Sequence, residues 1–331
     1  MDASAPRRVA PQPLKVIFVA GWLRSGSTLL TKLLDQVPGF LSLGELYFLW
    51  DQGLVQNRLC GCSLAFHDCP FWSRIARPLL DSDRQEIEAI VNARNGLRSR
   101  HFWRLMVPGG RHWLRARAER YSHALETFYR TLPERDDARV VVDASKFSSH
   151  GFALAQAQGI DLTVVHLVRD PRAVAFSWSR KRSYWKFSYS PFRSALHWIA
   201  QNVVTERLWT ESREEAKYVR VRYEDFVRDP RHTVQSIAAL VGEEADLAFF
   251  SSRNTARLQP THTVAGNPAR FSEGEIEIAA DEEWRRSISH RDRWLVTAMT
   301  LPLLIRYGYP VRAAMPVKGR KPDSETVQLR A

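Results

Sequence analysis

The residues with the clearest chemical potential form a short glycine-rich loop near the start of the chain. The loop runs from Gly21 to Gly26 and continues into Ser27 and Thr28, with the spacing G-x-x-x-x-G-S-T. Such a loop binds phosphate, because consecutive backbone N–H groups and the positive end of the following helix dipole converge on one anion. In nucleotide triphosphatases the residue after the second glycine is a lysine that reaches the β- and γ-phosphates. Ser27 stands at that position here and Arg24 is the nearest cation, so the loop predicts a ligand without a γ-phosphate.

Arg169 and Ser177 make up a second potential phosphate site. Arg169 directly follows an apolar run typical of a buried strand, and Ser177 comes eight residues later, about two turns into the helix predicted next. A guanidinium group offers paired N–H donors and a hydroxyl group offers one more, so the two side chains can hold one phosphate between them. The plainer alternative is that Arg169 pairs with Asp170 or Glu224, and that Ser177 is an ordinary helix residue.

Glu45 is the only charged residue in the apolar stretch FLSLGELYFLW, which runs from Phe40 to Trp50. A carboxylate in such a stretch is either a surface break in a buried segment or a functional group held close to the core, because glutamate is rarely buried without a partner. Its place shortly after a predicted phosphate loop favours the functional interpretation.

Three cysteines and one histidine lie close together in the sequence. Cys60, Cys62, His67 and Cys69 give the spacing C-x-C-x4-H-x-C, which matches none of the common zinc motifs. A small, odd number of cysteines does not indicate a disulfide framework either. The sequence therefore favours a structural turn with free or partly oxidised thiols over a metal site.

Buried strands alternate with helices along most of the chain. The strands are predicted at Val16–Val19, Arg139–Asp143, Leu162–Val168 and Lys217–Tyr223, and a helix follows each of them. This alternation predicts a parallel sheet with right-handed crossovers, which binds ligands at the carboxyl ends of its strands. The predicted fold class is therefore α/β, a three-layer α/β/α arrangement with a central parallel sheet, like that of the P-loop-containing nucleotide hydrolases, and with a helical insertion.

The 331 residues are predicted to form one domain, residues 14–311. Residues 1–13 are expected to be a disordered leader, and residues 312–331 a disordered tail. Residues 51–138 are rich in Arg and Trp and carry apolar residues at helical spacing, so we expect inserted helices that cap a site. Residues 253–271 are predicted to be a loop, and a last helix follows them.

The chain has a net charge of +12 at pH 7 and a pI near 9.9. Such an excess suits an anionic partner: nucleic acid, a membrane surface or a phosphorylated cofactor. The basic residues are spread among acidic ones, without the basic block or aromatic-interleaved strand of an RNA-binding module, so we expect no nucleic-acid partner. No apolar run reaches spanning length, and the first residues lack the apolar core of a signal peptide. The sequence thus predicts no membrane span and a cytoplasmic protein.

Taken together, the two phosphate motifs resemble those of the sulfotransferase family that uses 3′-phosphoadenosine 5′-phosphosulfate (PAPS). The segment RSGST resembles the family's 5′-phosphosulfate loop, and LVRDPRAVAFS, which ends at Ser177, resembles its 3′-phosphate motif. The segment YED, from Tyr223, resembles a family segment whose tyrosine lies near the adenine, and GNPARF resembles the late loop that closes over the nucleotide. The resemblance assigns these residues to the nucleotide: Arg24, Ser25, Gly26, Ser27, Thr28, Arg169, Ser177, Tyr223, Gly266, Asn267 and Arg270.

The form of the first loop and the position of Glu45 resemble the carbohydrate, small-molecule and bacterial branches of that family most. The cytosolic phenol and steroid branch carries a lysine in the first loop and a histidine base in a K-T-H segment. Neither feature occurs in this chain.

The resemblance implies transfer of a sulfuryl group from PAPS, without a metal, to a hydroxyl group of a glycan or small-molecule acceptor, or less favourably to an amine. Glu45 is then the expected general base, and partial burial among apolar neighbours would make its carboxylate a better proton acceptor. Arg24 and the loop would stabilise the transferred and leaving groups. Lys146, in the segment D-A-S-K, is expected to contact the sulfuryl group. Asp143 and His150 remain alternative bases.

Two other classes of protein fit parts of the pattern. A P-loop kinase or triphosphatase would need a lysine after Gly26 and an acidic Mg²⁺ ligand at a strand end. Asp143 could supply the second, and nothing supplies the first. A non-catalytic nucleotide-binding module would keep the phosphate motifs and use Glu45 only structurally.

Overall fold

A computed structural model gives the fold of the chain. It describes residues 12–80, 83–132, 138–180, 188–210 and 216–311. Residues 1–11 of the predicted leader and the whole predicted tail lie outside these described residues.

The centre of the fold is a sheet of five parallel strands. They are β1 (Leu14–Gly21), β2 (Phe40–Gly44), β3 (Val140–Lys146), β4 (Ile160–Val168) and β5 (Lys217–Arg222). Their order across the sheet is β2-β3-β1-β4-β5. β1 and β4 are buried along most of their length, as expected for parallel strands covered on both faces. The sheet confirms the fold class predicted from the alternation of strands and helices.

Helices connect the strands and cover the sheet. The α-helices are α1 (Ser27–Asp35), α2 (Pro70–Ile75), α3 (Arg77–Leu80), α4 (Arg84–Gly96), α5 (Gly110–Arg130), α6 (Ser148–Leu154), α7 (Pro171–Ser179), α8 (Pro191–Thr210), α9 (Tyr223–Arg228), α10 (Pro230–Leu240), α11 (Glu283–Ser287) and α12 (His290–Arg306). Tighter 3₁₀ turns lie at Leu46–Phe48, Ser99–Met106 and Pro268–Phe271, and a π-helical segment at Leu49–Val55. An antiparallel hairpin, β6 (Thr255–Leu258) and β7 (Gly274–Glu277), follows α10. Within the described residues, no helix combines the length and apolar character needed to cross a membrane.

Alternate residues of β1 point to opposite faces of the sheet, as the strand period of two requires. Val16 and Phe18 pack on one face into an apolar cluster with α5, α6 and α8. Ile17 and Val19 pack on the other face with α1, α9 and α10. Helices therefore cover both faces, and the fold has the three layers that were predicted.

The predicted insertion, residues 51–138, is largely helical where the structure describes it. Its longest helix, α5, packs against α4 and α6. Leu114 and Phe128 of α5 are buried in the same cluster as β1. Of the described insertion residues, Gln52 and Arg58 reach the cavity of the candidate site. The described part of the insertion therefore packs into one layer of the fold and also contributes two residues to the cavity wall.

Two local predictions are wrong. Residues 253–271, predicted to be a loop, contain β6 and the 3₁₀ turn at Pro268–Phe271. β6 is too short to show a clear alternation in the sequence, although Ala256 and Leu258 are buried. Tyr223 begins α9 instead of ending β5.

His166, in β4, is a buried histidine that couples folding to pH. Its Nδ1 lies 2.8 Å from Tyr218 Oη and its Nε2 lies 2.7 Å from Asn202 Oδ1. Burial lowers its pKa from 6.5 to about 4. Between these pH values the unfolded chain binds a proton that the folded chain does not, so stability falls as the pH drops. We expect a loss of about 2 kcal/mol from this residue between about pH 7.5 and about pH 5.

The measurement is urea unfolding of the wild type and His166→Gln at those two pH values. The stability advantage of the wild type over the variant should shrink by about 2 kcal/mol at the lower pH. The comparison with the variant also removes the contribution of Asp35, because both proteins contain this residue. Burial raises the pKa of Asp35 to about 7, so its contribution to stability changes with pH in the opposite direction. An unchanged difference would show that His166 does not carry this pH dependence.

Candidate active site

Predicted site residues follow four neighbouring strands of the sheet. The phosphate loop follows β1, Glu45 follows β2, Lys146 ends β3 and Arg169 follows β4. In the strand register, Ala20 lies opposite Lys146. The carboxyl ends of parallel strands meet at one edge, so the fold itself brings these residues together.

The phosphate loop has the backbone geometry of an anion cradle. Gly26 has a φ of 86° and precedes α1, and no described side chain caps this helix. The N–H groups of the first turn therefore lack helical partners and can bind an anion, which the helix dipole also favours. Arg24 and Lys146 have positive φ values of 72° and 64°. Such strained backbone conformations cluster at functional sites.

Gly26→Ala is expected to disrupt phosphate binding. A Cβ at this position would lie 2.5 Å from Cδ2 of the Tyr223 ring, so the loop or the tyrosine would have to move. We expect the affinity for adenosine 3′,5′-bisphosphate to fall by at least about tenfold, as measured by calorimetry. Gly109→Ala is the matched control, because Gly109 also precedes a helix with positive φ and has no described atom near its Cβ position. Equal affinities of the two variants would contradict the prediction.

A cavity of about 620 Å³ lies beside the phosphate loop. Its size falls in the range of small-molecule sites. Its walls combine loop residues, Glu45 and Lys146, the late loop and several aromatic side chains. The lining residues are Trp22, Leu23, Arg24, Gly26, Ser27, Thr28, Leu29, Lys32, Glu45, Phe48, Gln52, Arg58, Lys146, Phe147, Tyr189, Ala265, Gly266, Asn267, Pro268 and Ala269.

Glu45 and Lys146 form an ion pair at the wall of this cavity. Lys146 Nζ donates to Glu45 Oε1 at 2.6 Å and to the carbonyl oxygen of Ala144 at 3.0 Å. Both side chains are buried, with Glu45 8% and Lys146 5% exposed. No described residue donates a hydrogen bond to Glu45 Oε2. This oxygen can therefore accept a proton from a hydroxyl group bound in the cavity.

Asp143 and His150, the alternative bases, are fully buried and do not line the cavity. Asp143 accepts hydrogen bonds from His150 Nε2 at 2.6 Å, Tyr129 Oη at 2.9 Å and the backbone N–H of Ser145 at 2.9 Å. Burial alone would raise the pKa of Asp143, but His150 and the hydrogen bonds lower it. His150 Nδ1 lies 2.7 Å from Tyr121 Oη. This network holds the end of β3, which carries Lys146, in place.

Arg169, Ser177 and Arg24 converge next to the loop. Arg169 Nη1 donates to the carbonyl oxygen of Arg24 at 3.1 Å, and Arg24 Nε donates to Ser177 Oγ at 2.9 Å. The Arg169 guanidinium lies 4.4 Å from the centre of the Tyr223 ring. Its Nη2 donates to Asp281 Oδ2 at 3.2 Å. The structure thus joins the two predicted phosphate motifs in one cationic cluster.

The plainer alternative, that Arg169 pairs with Asp170 or Glu224, is wrong, because both carboxylates are bound by other groups. Asp170 is bound instead by Arg172, at 2.9 Å through Oδ1 and at 2.7 Å through Oδ2. Glu224 accepts a hydrogen bond from the backbone N–H of Asp170 at 3.0 Å. Asp281 is the acidic partner of Arg169, and it lies 112 residues further along the chain.

Arg169 Nε is buried and has no hydrogen-bond partner among the described residues. A buried donor without an acceptor costs about 1–3 kcal/mol, which an anion beside Arg169 would offset. Ser177 Oγ, already bonded to Arg24, supplies a hydroxyl group to the same cluster. A guanidinium with an unused donor and a neighbouring hydroxyl can together bind an anion such as a phosphate group.

Ser25 and Tyr223, both assigned to the nucleotide by resemblance, do not line the cavity. Ser25 Oγ donates to the carbonyl oxygen of Trp22 at 2.7 Å and so closes the loop on itself. The Tyr223 ring lies close to Gly26 and to the Arg169 guanidinium. Both side chains support the loop and its arginine.

The resemblance assigns three residues of the late loop to the nucleotide, and two of them lie at the wall of the cavity. Gly266 and Asn267 line the cavity, whereas Arg270 does not. The Arg270 guanidinium donates to the carbonyl oxygens of Thr263 at 3.2 Å and Leu59 at 2.7 Å. The Arg270 side chain therefore links the segment before the late loop to the segment that contains Leu59.

Lys32 is a site residue that the sequence analysis missed. It lies in α1 and lines the cavity. Its Nζ donates to the carbonyl oxygens of Arg270 at 2.8 Å and Ser272 at 2.6 Å, which ties α1 to the late loop. Burial lowers the pKa of Lys32. A signal was present, because Lys32 is a lone charge in the run LLTKLL, just as Glu45 is a lone charge in its own run.

The histidine that lies beside the three cysteines in the structure is not the one in their sequence motif. His67 does not join the cysteines, since its Nε2 lies 2.9 Å from the carbonyl oxygen of Leu54. The cysteines are free thiols. They lie together with a histidine from the segment before the late loop; the cluster is Cys60, Cys62, Cys69 and His262.

The model of the sulfotransferase family matches residues 16–246, more than half of the chain. The chain therefore belongs to the sulfotransferase family, which confirms the resemblance drawn from its motifs. No curated protein matches it.

Solved structures that are similar to the chain include the following three. A sulfotransferase domain from the Synechococcus PCC 7002 olefin synthase is 22% identical, with 91% of this chain and 97% of that one covered and a TM-score of 0.49. A sulfotransferase domain from the curacin biosynthetic pathway is 16% identical, with 91% and 100% covered and a TM-score of 0.48. A sulfotransferase from Alicyclobacillus acidocaldarius is 13% identical, with 91% and 98% covered and a TM-score of 0.38.

Proposed function

We propose that this sulfotransferase transfers a sulfuryl group from PAPS to a hydroxyl group of a glycan or small-molecule acceptor. The observation that carries the proposal is that the phosphate loop and the Glu45–Lys146 pair line one cavity. Transfer from a nucleotide to a hydroxyl group needs an anion cradle and a base within reach of the same reacting atoms.

In this proposal, two groups of hydrogen-bond donors bind different parts of the nucleotide. The N–H groups from Gly26 to Thr28 hold the 5′-phosphosulfate. Arg169 and Ser177 hold the 3′-phosphate. Arg24 links the two groups, since it belongs to the loop and donates to Ser177 Oγ.

Glu45 acts as the general base. Its carboxylate takes the hydroxyl proton as the acceptor oxygen bonds to sulfur, and the bond between sulfur and the 5′-phosphate oxygen breaks. Lys146 positions the carboxylate through its bond to Oε1 and places positive charge beside the sulfuryl oxygens. The loop N–H groups and Arg24 stabilise the negative charge that the leaving phosphate gains.

The aromatic side chains in the cavity walls suit a glycan or small-molecule acceptor that has a ring and a free hydroxyl group. The cavity walls include Trp22, Phe48, Phe147 and Tyr189. Aromatic faces of this kind pack on sugar rings and on aromatic rings, while polar groups at the wall fix the orientation of the ligand.

The transfer needs no divalent ion, and the protein works in the cytoplasm. Ser27 and Thr28 can bond phosphate oxygens directly, and Arg24 and Lys146 supply positive charge that Mg²⁺ provides in kinases. Free thiols persist in a reducing compartment, and the cysteines of this chain are unpaired.

The test is incubation with radiolabelled PAPS and fractionated metabolites, followed by mass analysis of every product that gains a sulfate. We expect a labelled product with the wild type and almost none with Glu45→Gln. Nucleotide binding without a product on a broad acceptor panel would favour a non-catalytic module. Mg²⁺-dependent transfer of the γ-phosphate of ATP would favour a kinase instead.

A further inference from the structure

The cluster of three cysteines and one histidine has no part in the proposed transfer. Its four possible ligand atoms all lie within 4.8 Å of one another. The group cannot be recognised from local sequence spacing, because 193 residues separate Cys69 from His262. Only the fold brings the histidine to the thiols.

Three of the six distances between these atoms are close to those of a tetrahedral zinc shell. Cys62 Sγ lies 3.6 Å from Cys69 Sγ, and His262 Nδ1 lies 3.3 Å from Cys69 Sγ and 3.8 Å from Cys60 Sγ. Zinc bonds of about 2.3 Å to sulfur and about 2.0–2.1 Å to nitrogen place neighbouring ligand atoms about 3.5–3.8 Å apart. A disulfide would need about 2.05 Å between two sulfur atoms.

We propose that Cys60, Cys62, Cys69 and His262 bind one structural Zn²⁺ ion. Three thiolates and one imidazole are a common set of structural zinc ligands, and sulfur ligands select zinc over magnesium or calcium. Four protein ligands complete the tetrahedron and leave no position for water or substrate. The ion is therefore structural, and it is compatible with a transfer that uses no metal.

The surrounding contacts hold the ligands in this arrangement. Gly61, between two of the cysteines, allows the close approach of the neighbouring segment, and its N–H donates to the carbonyl oxygen of Thr263 at 2.9 Å. The Phe71 ring stacks on the His262 ring with centroids 4.8 Å apart and planes 5° apart. Trp72 Nε1 donates to the carbonyl oxygen of His262 at 2.9 Å. Contacts of this kind orient metal ligands and fix the histidine ring.

The ion would fasten the segment that leads into the candidate site. His262 comes four residues before Gly266, which lines the cavity and whose Cβ position lies 3.2 Å from Glu45 Oε1. Zinc binding adds its free energy to folding, so its loss should loosen residues 261–270. We expect a strong zinc chelator to lower the Tm of the wild type and to leave the Tm of His262→Gln unchanged.

The decisive experiment is metal analysis of the full chain, produced with added zinc and purified in reducing buffer without chelator. We expect about one zinc ion per chain. His262→Gln and Cys62→Ser, which change the two partly exposed ligands, should each lose most of this zinc. His67→Gln is the matched control, because His67 lies inside the sequence motif but outside the cluster, and it should keep its zinc.

Cobalt substitution of the wild type tests the proposal without any variant, so it still gives a result when a variant does not fold. Co²⁺ in a tetrahedral site with three thiolates gives intense visible bands and sulfur-to-metal charge transfer, and added Zn²⁺ should abolish both. Metal-free wild-type protein with three titratable thiols would overturn the proposal. Zinc lost in His67→Gln but kept in His262→Gln would overturn it as well.

Discussion

Glu45→Gln is expected to lower turnover on the true acceptor by on the order of a hundredfold to ten-thousandfold, the range typical of a lost general base. Glutamine keeps the shape of the side chain and can still accept the hydrogen bond from Lys146, but it cannot take up the hydroxyl proton. The base acts in the transition state, so kcat and kcat/KM should fall together. Nucleotide affinity, measured separately by calorimetry, should stay close to that of the wild type.

Glu243→Gln is the matched control for this variant. Glu243 also accepts a hydrogen bond from a lysine, Lys15, at 2.6 Å. Lys15 lies near the amino end of β1, whereas the phosphate loop follows the carboxyl end of the same strand. Glu243→Gln should therefore keep full activity. If Glu45→Gln stays within about threefold of the wild type, another group takes the proton.

Arg169→Ala is expected to remove most of the preference for a 3′-phosphate. The variant should bind adenosine 3′,5′-bisphosphate about 10- to 100-fold more weakly than the wild type, because each charge-assisted hydrogen bond contributes about 1.5–3 kcal/mol. Its affinity for 5′-AMP should change little. Arg169→Lys keeps the charge without the planar fork and should restore only part of the preference. Calorimetric titrations at one salt concentration give all of these values.

Arg172→Ala separates this effect from a general loss of stability. Arg172 is also a buried arginine, but its guanidinium is bound by Asp170 and by the carbonyl oxygens of Pro310 and Val311. Arg172→Ala should lower the Tm and leave the nucleotide preference unchanged. If it removes the preference as Arg169→Ala does, then Arg169 is not a specific phosphate ligand.

The strands, the loop after β1 and the closeness of Arg169 to Ser177 could be predicted because their signals are local. β1 is a short β-branched and aromatic run followed at once by a glycine-rich loop, and strand, loop and helix form one continuous unit. Arg169 and Ser177 are separated by one helical stretch, so their spacing alone places them near each other. Glu45 stands out as a lone charge among apolar residues, and a charged residue in such a run is rarely buried without a partner.

Contacts between distant segments could not be predicted in the same way. His262 meets the cysteines and Asp281 meets Arg169 across more than a hundred residues, and no local pattern marks either pair. Arg270 illustrates a related limit. The resemblance of GNPARF to the family's late loop predicts that Arg270 contacts the nucleotide, but in the fold its guanidinium donates to the carbonyl groups of Thr263 and Leu59 and does not line the cavity.

The proposed function depends most directly on the 3′-phosphate, because that group distinguishes PAPS from the other common adenine nucleotides. The measurement is a calorimetric titration of the wild type with adenosine 3′,5′-bisphosphate and with 5′-AMP, which requires no knowledge of the acceptor. We expect the bisphosphate to bind at least about tenfold more tightly, through Arg169 and Ser177. Equal affinity for the two nucleotides would contradict the assignment of this site to PAPS.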